Sequence, residues 1–351
     1  MKPVYIVSWL FALAVSFVSC DDWLDKTPKD RLYPDVYFKT EDELRLFTNQ
    51  FYNNLVPSAV DIYSESSDLI VKSDLMLEMS GQRIIPDEGN GWNFTALRDI
   101  NFYLQYSHNC TEVNARNRYD GVARFFRAYF YFEKVKRYGD IPWYDKALDS
   151  DDPELYKARD SREFVMQKTL EDLDFAIANL PKTKNAYVLT RWTALALKSR
   201  VCLFEGTFRK YHGLEDCEKY LNACVSASET FMNESGYTLY KSGSTPYRDL
   251  FASINLQADE VIFGRDYEAS LSVLHNVQNY ENSTTMGRPG MNKKIVNSYL
   301  MADGSRFTDK AGYETMTFDQ ECQNRDPRLA QTIRTPGYTR IGSTKKEAPN
   351  L

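Results

Sequence analysis

A mainly α architecture, an α–α superhelix of paired helices with a loop-rich, partly β second half packed on it, is what the sequence predicts. Three observations carry that expectation. Up to about residue 235 the chain consists of long stretches without Gly or Pro whose apolar residues recur at helical spacing. These stretches end at explicit Gly or Pro stops and are joined by short turns. Beyond Gly236 the periodicity fades, and Gly, Pro, Ser and Asn become frequent.

The chain of 351 residues begins with Lys2 followed by Val4 to Val18, an uncharged and mostly apolar run that is too short to cross a bilayer. Residues 1–19 therefore read as an export signal. Residues 20–35, which include the acidic and proline-punctuated DDWLDKTPKDRLYPD, read as a tether without regular structure, leaving 36–351 as a single domain. Thr40 and Glu43 form a capping box ahead of Leu44, Phe47, Phe51 and Tyr52, which places the first helix. From Val56 to Gly91 the chain reads as loops around one short helical piece near Asp68 to Met79. Long irregular segments in a large domain are commonly functional, so binding residues are sought there first. A second helix is expected from Trp92 to about Ser107, with Leu97, Ile100, Tyr103 and Leu104 on one face.

The next helix, from about Glu112 to Tyr138, carries aromatic residues at Phe125, Phe126, Tyr129, Phe130, Tyr131, Phe132 and Tyr138. Such density marks a buried scaffold helix, because each ring removed from water contributes about 1.5–3 kcal/mol. Gly139 supplies its C-cap, Lys136 and Arg137 suit the negative end of the helix dipole, and Pro142 prevents continuation. Ser161 opens a helix that presents Met166, Leu170, Leu173, Ile177 and Leu180 inward and stops at Pro181. Thr190 caps the following one, with Trp192, Leu195, Ala196, Ser199 and Leu203 on one side. Its partner, Leu214 to Met232, faces it through Tyr220, Leu221, Cys224, Val225, Ser228 and Phe231. Paired helices of this length resemble a tetratricopeptide-like array, although no strict repeat is visible. In the second half, Tyr237 to Tyr240 and Glu260 to Gly264 read as short strands.

Several function classes lack support. The formal charge of −6 at pH 7, without a long basic tract, excludes nucleic acid as the main partner. His108, His212 and His275 have no partners at metal-ligand spacing, and the sequence contains no HExxH, GxSxG, phosphate-binding loop or dinucleotide fingerprint. No cofactor, metal or catalytic residue is assigned, and the chain is not read as an enzyme. Asp149, Asp151, Asp152 and Glu154 lack the spacing of a calcium loop and read as a solvated turn. Cysteines other than Cys20 are odd in number, so they do not form a complete disulfide framework, and Cys217 and Cys224 lie too far apart on one helix to bridge.

The segment Phe17-Val18-Ser19-Cys20 resembles a bacterial lipobox, which would make Cys20 the lipidated first residue of the mature chain. Cys20 with DDWLDKTP, RAYFYFEKVKRYGDIPWY at 127–144, LDFAIANLP at 173–181, TRWTALALKSRVCLFEG at 190–206, DEVIFGRDY at 259–267, YLMADGSRF at 299–307 and NRDPRLAQTI at 324–333 together resemble the SusD/RagB outer-membrane lipoproteins. That resemblance implies a tetratricopeptide-like scaffold with a loop-rich lid, tethered to the outside of the cell outer membrane through its lipid. It implies capture of oligosaccharide or polysaccharide, less often peptide, and delivery without cleavage to a SusC-like TonB-dependent transporter. Members of the family are usually longer, so the chain reads as a fragment, a truncated gene product or an unusually short member, and either of the first two would leave a C-terminal part of the domain missing.

Trp92, after a glycine-rich loop, resembles the family's platform aromatic, and a staple on the helix start is the alternative reading. Arg83, Asp87, Asn90 and Asn93 lie near it in sequence as donors and acceptors for hydroxyl groups. The resemblance puts further ligand loops at 267–288, where Tyr280 and Asn282 are the candidates. Arg325, Asp326 and Arg328 read as an ion-paired structural turn held by Pro327. Two further readings are a scaffold that contacts only the transporter and a glycosidase.

Overall fold

The computed structural model describes residues 36–56, 69–71, 77–85, 91–275, 290–340 and 344–346. Cys20, with the signal and tether expected around it, lies outside the described residues, as do Asp87, Asn90, Tyr280 and Asn282. Helix α1 (Glu41–Leu55) starts at the expected capping box: the Thr40 hydroxyl accepts from the Glu43 amide while the Glu43 carboxylate accepts from the amide of Thr40. Before it, Phe38 adopts the left-handed conformation (φ 65°), uncommon for a bulky residue. Its ring is fully buried among Phe47, Phe102 and Tyr103, and that burial offsets the strain.

The segment expected to be one helical piece near 68–79 is different. Among its described residues, Ile70–Val71 forms strand β1 and Leu77–Ser80 is helical (α2), while residues 68 and 72–76 lie outside them. Helix α3 (Thr95–Tyr106) begins three residues later than expected, and a 3-10 turn at Ser107–Asn109 leads into α4 (Val113–Tyr138). Gly139 closes α4 with φ 72°, and its amide donates to the Val135 carbonyl. Helix α5 (Arg162–Asn179) is capped by Ser161. Helix α6 (Arg191–His212) runs from a Thr190 cap to left-handed Gly213, and α7 (Cys217–Glu234) follows.

Each helix packs on its predecessor: α4 on α1 and α3, α5 on α4, α6 on α5, and α7 on α6. Helix α4 is the centre of this array. Phe125, Phe126, Phe130, Tyr131 and Phe132 are buried, and Tyr129 and Tyr138 half-buried, as expected of a scaffold helix. At its middle, Arg127 makes a bidentate salt bridge to Asp172 of α5 (2.6 and 2.8 Å) and donates to Asn101 Oδ1 of α3 (3.2 Å). Asn101 donates in turn to the carbonyls of Tyr144 and Lys146, so one polar cluster joins three helices and the chain after α4. Burial acts to lower the Arg127 pKa, but the bonds and charge of Asp172 more than reverse this and hold it above its ordinary value. A second network ties α5 to α6: Arg162 (2.6 Å) and Arg209 (2.8 Å) both grip the fully buried Glu205, and Arg209 also reaches Glu163.

Helices α6 and α7 approach so closely that a methyl group on Gly206 would lie 2.8 Å from the Leu221 side chain. Leu203 and Val225, expected inside this pair, are instead about half exposed. Helix α7 covers α6 on one side only, and among its residues just Tyr220 and Ala227 are buried. The described cysteines are unpaired, and burial pushes the Cys202 thiol up to about 12, which leaves it inert as a nucleophile.

The second half holds the short helices α8 (Pro246–Ala252), α9 (Lys293–Ser298), α10 (Phe318–Glu321) and α11 (Pro327–Thr332), with strand β2 (Gly290–Met291) antiparallel to β1. The strands expected at 237–240 and 260–264 are absent as strands. The two segments do meet, with the Thr238 amide donating to the Asp259 carbonyl (2.9 Å). The next amide in line, that of Tyr240, donates to the Glu260 carboxylate (2.6 Å), so a side chain takes the bond that would have extended the ladder. The 325–328 turn matches expectation: Asp326 caps α11 and pairs with Arg328 (2.5 Å), while buried Arg325 donates to the Glu321, Val296 and Tyr299 carbonyls.

Truncating Phe126→Ala, at a ring 1% exposed and flanked by Phe51, Tyr52 and Phe125, will cost about 3–5 kcal/mol in denaturant-induced unfolding. Burial also raises the pKa of Asp120, and the charges of Arg124 and Arg116 offset only part of the rise. The folded protein thus holds this proton more tightly than the unfolded chain. Its contribution to stability is complete below the unfolded carboxylate value of about 3.9 and is lost as pH rises through the higher folded value. Asp120→Asn will remove this decline from a plot of unfolding free energy against pH.

Candidate functional site

The loop between α2 and α3 ends at Gly91, whose φ of 93° puts it in a conformation that favours glycine. A methyl group there would stand 3.1 Å from the Tyr138 hydroxyl. The Gly91 carbonyl accepts from Lys134 Nζ on α4, so the last turn of the scaffold helix grips the loop backbone. Trp92 comes next, 38% exposed. Its ring meets Tyr138 at 4.9 Å and Phe94 at 5.3 Å, both edge to face, and the Arg159 guanidinium sits 4.8 Å from its centroid. Trp92 therefore lies just outside α3, with its ring packed on Phe94 and on Tyr138 of α4 and part of it left to solvent.

Asn93 is exposed, and its side-chain oxygen accepts from the Thr95 amide (2.8 Å), closing the turn into α3. The structure brings Trp92 and Asn93 together at this corner. Arg83 lies exposed in the coil after α2. Among the described residues, no cluster of His, Cys, Asp or Glu is arranged to hold a metal, and Asp152 and Glu154 of the acidic loop are engaged by Lys146.

Beside Asn93 opens a hollow of about 490 Å³ lined by Asn54, Asp99, Tyr129, Phe130, Glu133 and Lys134 among others. A second hollow of about 470 Å³ shares Leu55 and Tyr129 with it and is mostly apolar, with Arg200 and Glu260 as its charged members. Burial raises the Asp99 pKa against the pull of Arg98. Burial and then the repulsion of Arg137 lower that of Lys134. Burial, reinforced by Glu133, pushes Tyr129 up to about 12, so its hydroxyl is a proton donor throughout the physiological range. A half-exposed indole beside amide, carboxylate, phenol and ammonium groups suits a ligand with apolar faces and hydroxylated edges. Asp99, Tyr129, Glu133, Lys134 and Arg159 did not emerge from the sequence as site residues. Tyr129, Glu133 and Arg137 recur at helical spacing on α4, a signal that could have marked that face.

The sequence matches the family profile described as "Starch-binding associating with outer membrane" over residues 79–191 and the "SusD family" profile over residues 228–349. The chain belongs to the SusD/RagB family. A SusD-like protein of Formosa agariphila is 26% identical over 294 residues, covering 78% of this chain and 55% of the relative. A SusD-like protein from Bacteroides fragilis superposes with a TM-score of 0.69 at 22% identity, over 89% of this chain and 64% of that one. A SusD-like carbohydrate binding protein from the same species gives 0.68 at 17% identity, over 90% and 63%. These structures show a shared fold. The chain spans about half the length of the curated relatives it matches.

Alanine at Gly91 is expected to cost roughly 1–2 kcal/mol for the left-handed backbone and to crowd Tyr138. Alanine at Gly81, also at positive φ but with nothing within 4 Å of the added carbon, will cost less. Thermal unfolding of the two variants compares them directly.

Proposed function

We propose that this protein is a cell-surface lipoprotein that captures oligosaccharide and hands it, without cleavage, to a SusC-like TonB-dependent transporter in the outer membrane. Membership of the SusD/RagB family, one of whose profiles is described as starch-binding and outer-membrane associated, supports the reading. The observation in the chain itself that carries it is Trp92: a large ring left half in solvent, held edge-on by Tyr138 and Phe94, next to a hollow rich in hydrogen-bonding groups. A pyranose offers the matching surface, with C–H bonds on its faces and hydroxyls around its rim.

In this reading the scaffold helices hold the platform, and the polar residues around the hollow select hydroxyl patterns. Attachment to the membrane falls to the lipidated Cys20. Among the described residues no helix is long and apolar enough to cross a membrane. Two acyl chains, at about 0.8 kcal/mol per buried methylene, would hold the protein stably.

Calorimetric titration against a glycan panel tests the proposal. Binding to at least one oligosaccharide is expected, with Trp92→Ala weakening it roughly ten-fold or more while unfolding remains cooperative. Binding to peptides and to no glycan would overturn the sugar reading.

A further inference from the structure

Among the described residues, the charges around Trp92 are predominantly positive; Asp87 and Glu88 lie outside them. Arg159 lies 4.8 Å from the centre of its ring, Arg137 packs 5.8 Å from the Tyr138 ring that abuts it, and Lys134 holds Gly91. Among the described residues none of these three cations has a carboxylate within ion-pair distance, and both arginines are exposed. Among the described residues, the carboxylates nearest in sequence to these cations are engaged elsewhere. Glu133 is paired with Lys136 (2.6 Å). Asp160 is paired with Lys157 (3.0 Å) and accepts from the Trp143 amide (2.7 Å). Asp140 accepts from the Arg162 amide (2.8 Å). At Lys134 the repulsion from Arg137 outweighs the attraction of neighbouring Glu133, which marks the local field as positive. This contrasts with a chain whose overall formal charge is −6.

We propose that the Trp92 platform selects acidic saccharides, with the carboxylate or sulfate of the sugar met by Arg137 and Arg159 while a ring face lies against the indole. The inference deepens the glycan-binding function proposed above and rests on it. A guanidinium presents parallel N–H donors that fit both carboxylate and sulfate, and its weak hydration lowers the cost of bringing it against an aromatic ring. Arg159 lies 4.8 Å from the centre of the ring that would carry the sugar, which puts its charge within reach of an acidic substituent on a sugar held there. Lys134 is committed to the loop backbone and adds to the field rather than to direct contact.

The test is titration of the protein with matched pairs of ligands: oligogalacturonates and their methyl esters, and sulfated galactan oligosaccharides and their desulfated forms. In at least one pair the acidic member should bind roughly ten-fold tighter or better, with the preference shrinking as salt is added. In an R137Q/R159Q double variant the two members should bind alike, whereas Trp92→Ala should weaken both. A preference in the uronate pair alone or the sulfate pair alone assigns the anion. Equal or tighter binding of the neutral members would overturn the proposal and leave the glycan reading standing. Failure of every saccharide alongside binding of peptides would overturn both. Because both arginines are exposed, the double variant should unfold at the parent's temperature, and unchanged unfolding with unchanged preference would also exclude the assignment.

Discussion

The buried contact between Arg127 and Asp172 governs how this protein is put together. A guanidinium and a carboxylate taken from water are costly unless each hydrogen-bonding group finds a partner, and replacing either alone would strand a charge in the core. Here the demand is met by geometry drawn from three places: two bonds to α5, one to α3, and, through Asn101, two carbonyls of the chain leaving α4. Apolar packing alone tolerates helices sliding along one another, since one ring substitutes for another at modest cost. A fork-shaped cation with a single set of acceptors does not, so the register of α3, α4 and α5 is set here. Trp143 contributes its ring 5.1 Å from the same guanidinium, which fixes the turn that follows Gly139 as well.

That register positions the corner at Trp92. Lys134 and Tyr138, which hold Gly91 and Trp92, lie two and three turns along α4 from Arg127, and the start of α3 is a short distance from Asn101. Trp92 thus lies outside the helices but takes its position from the rigid helix behind it. In the proposed role, a ring held before the ligand arrives loses little freedom on binding.

Much of the helical half was legible because its boundaries are written in local chemistry. Thr40 with Glu43, Ser161, Thr190, Gly139 and Gly213 act on backbone groups within a few residues, and the structure uses each as the spacing implies. What could not be read depends on partners distant in sequence. The ion pair joining residues 127 and 172 has no local signature. Leu203 and Val225 have the periodicity of buried residues but lie where α7 leaves α6 uncovered. The segments 237–240 and 260–264 are apolar enough for strands, yet the Glu260 side chain intercepts the amide that pairing required. At the site, Trp92 and Asn93 were visible because a glycine turn precedes them. Arg159 was not, because it belongs to the coil between α4 and α5, whose path the sequence does not reveal.

The bond from Lys134 to Gly91 has a consequence for how such a protein diversifies. Its acceptor is a main-chain carbonyl, which every amino acid carries, so the tie between scaffold and loop is indifferent to side chains upstream. Glycine is demanded at position 91 by φ, while the tie itself sets no requirement on side-chain identity. Holding of the frame is thereby separated from the side chains that the frame carries, and the core that specifies the fold is not involved in that choice.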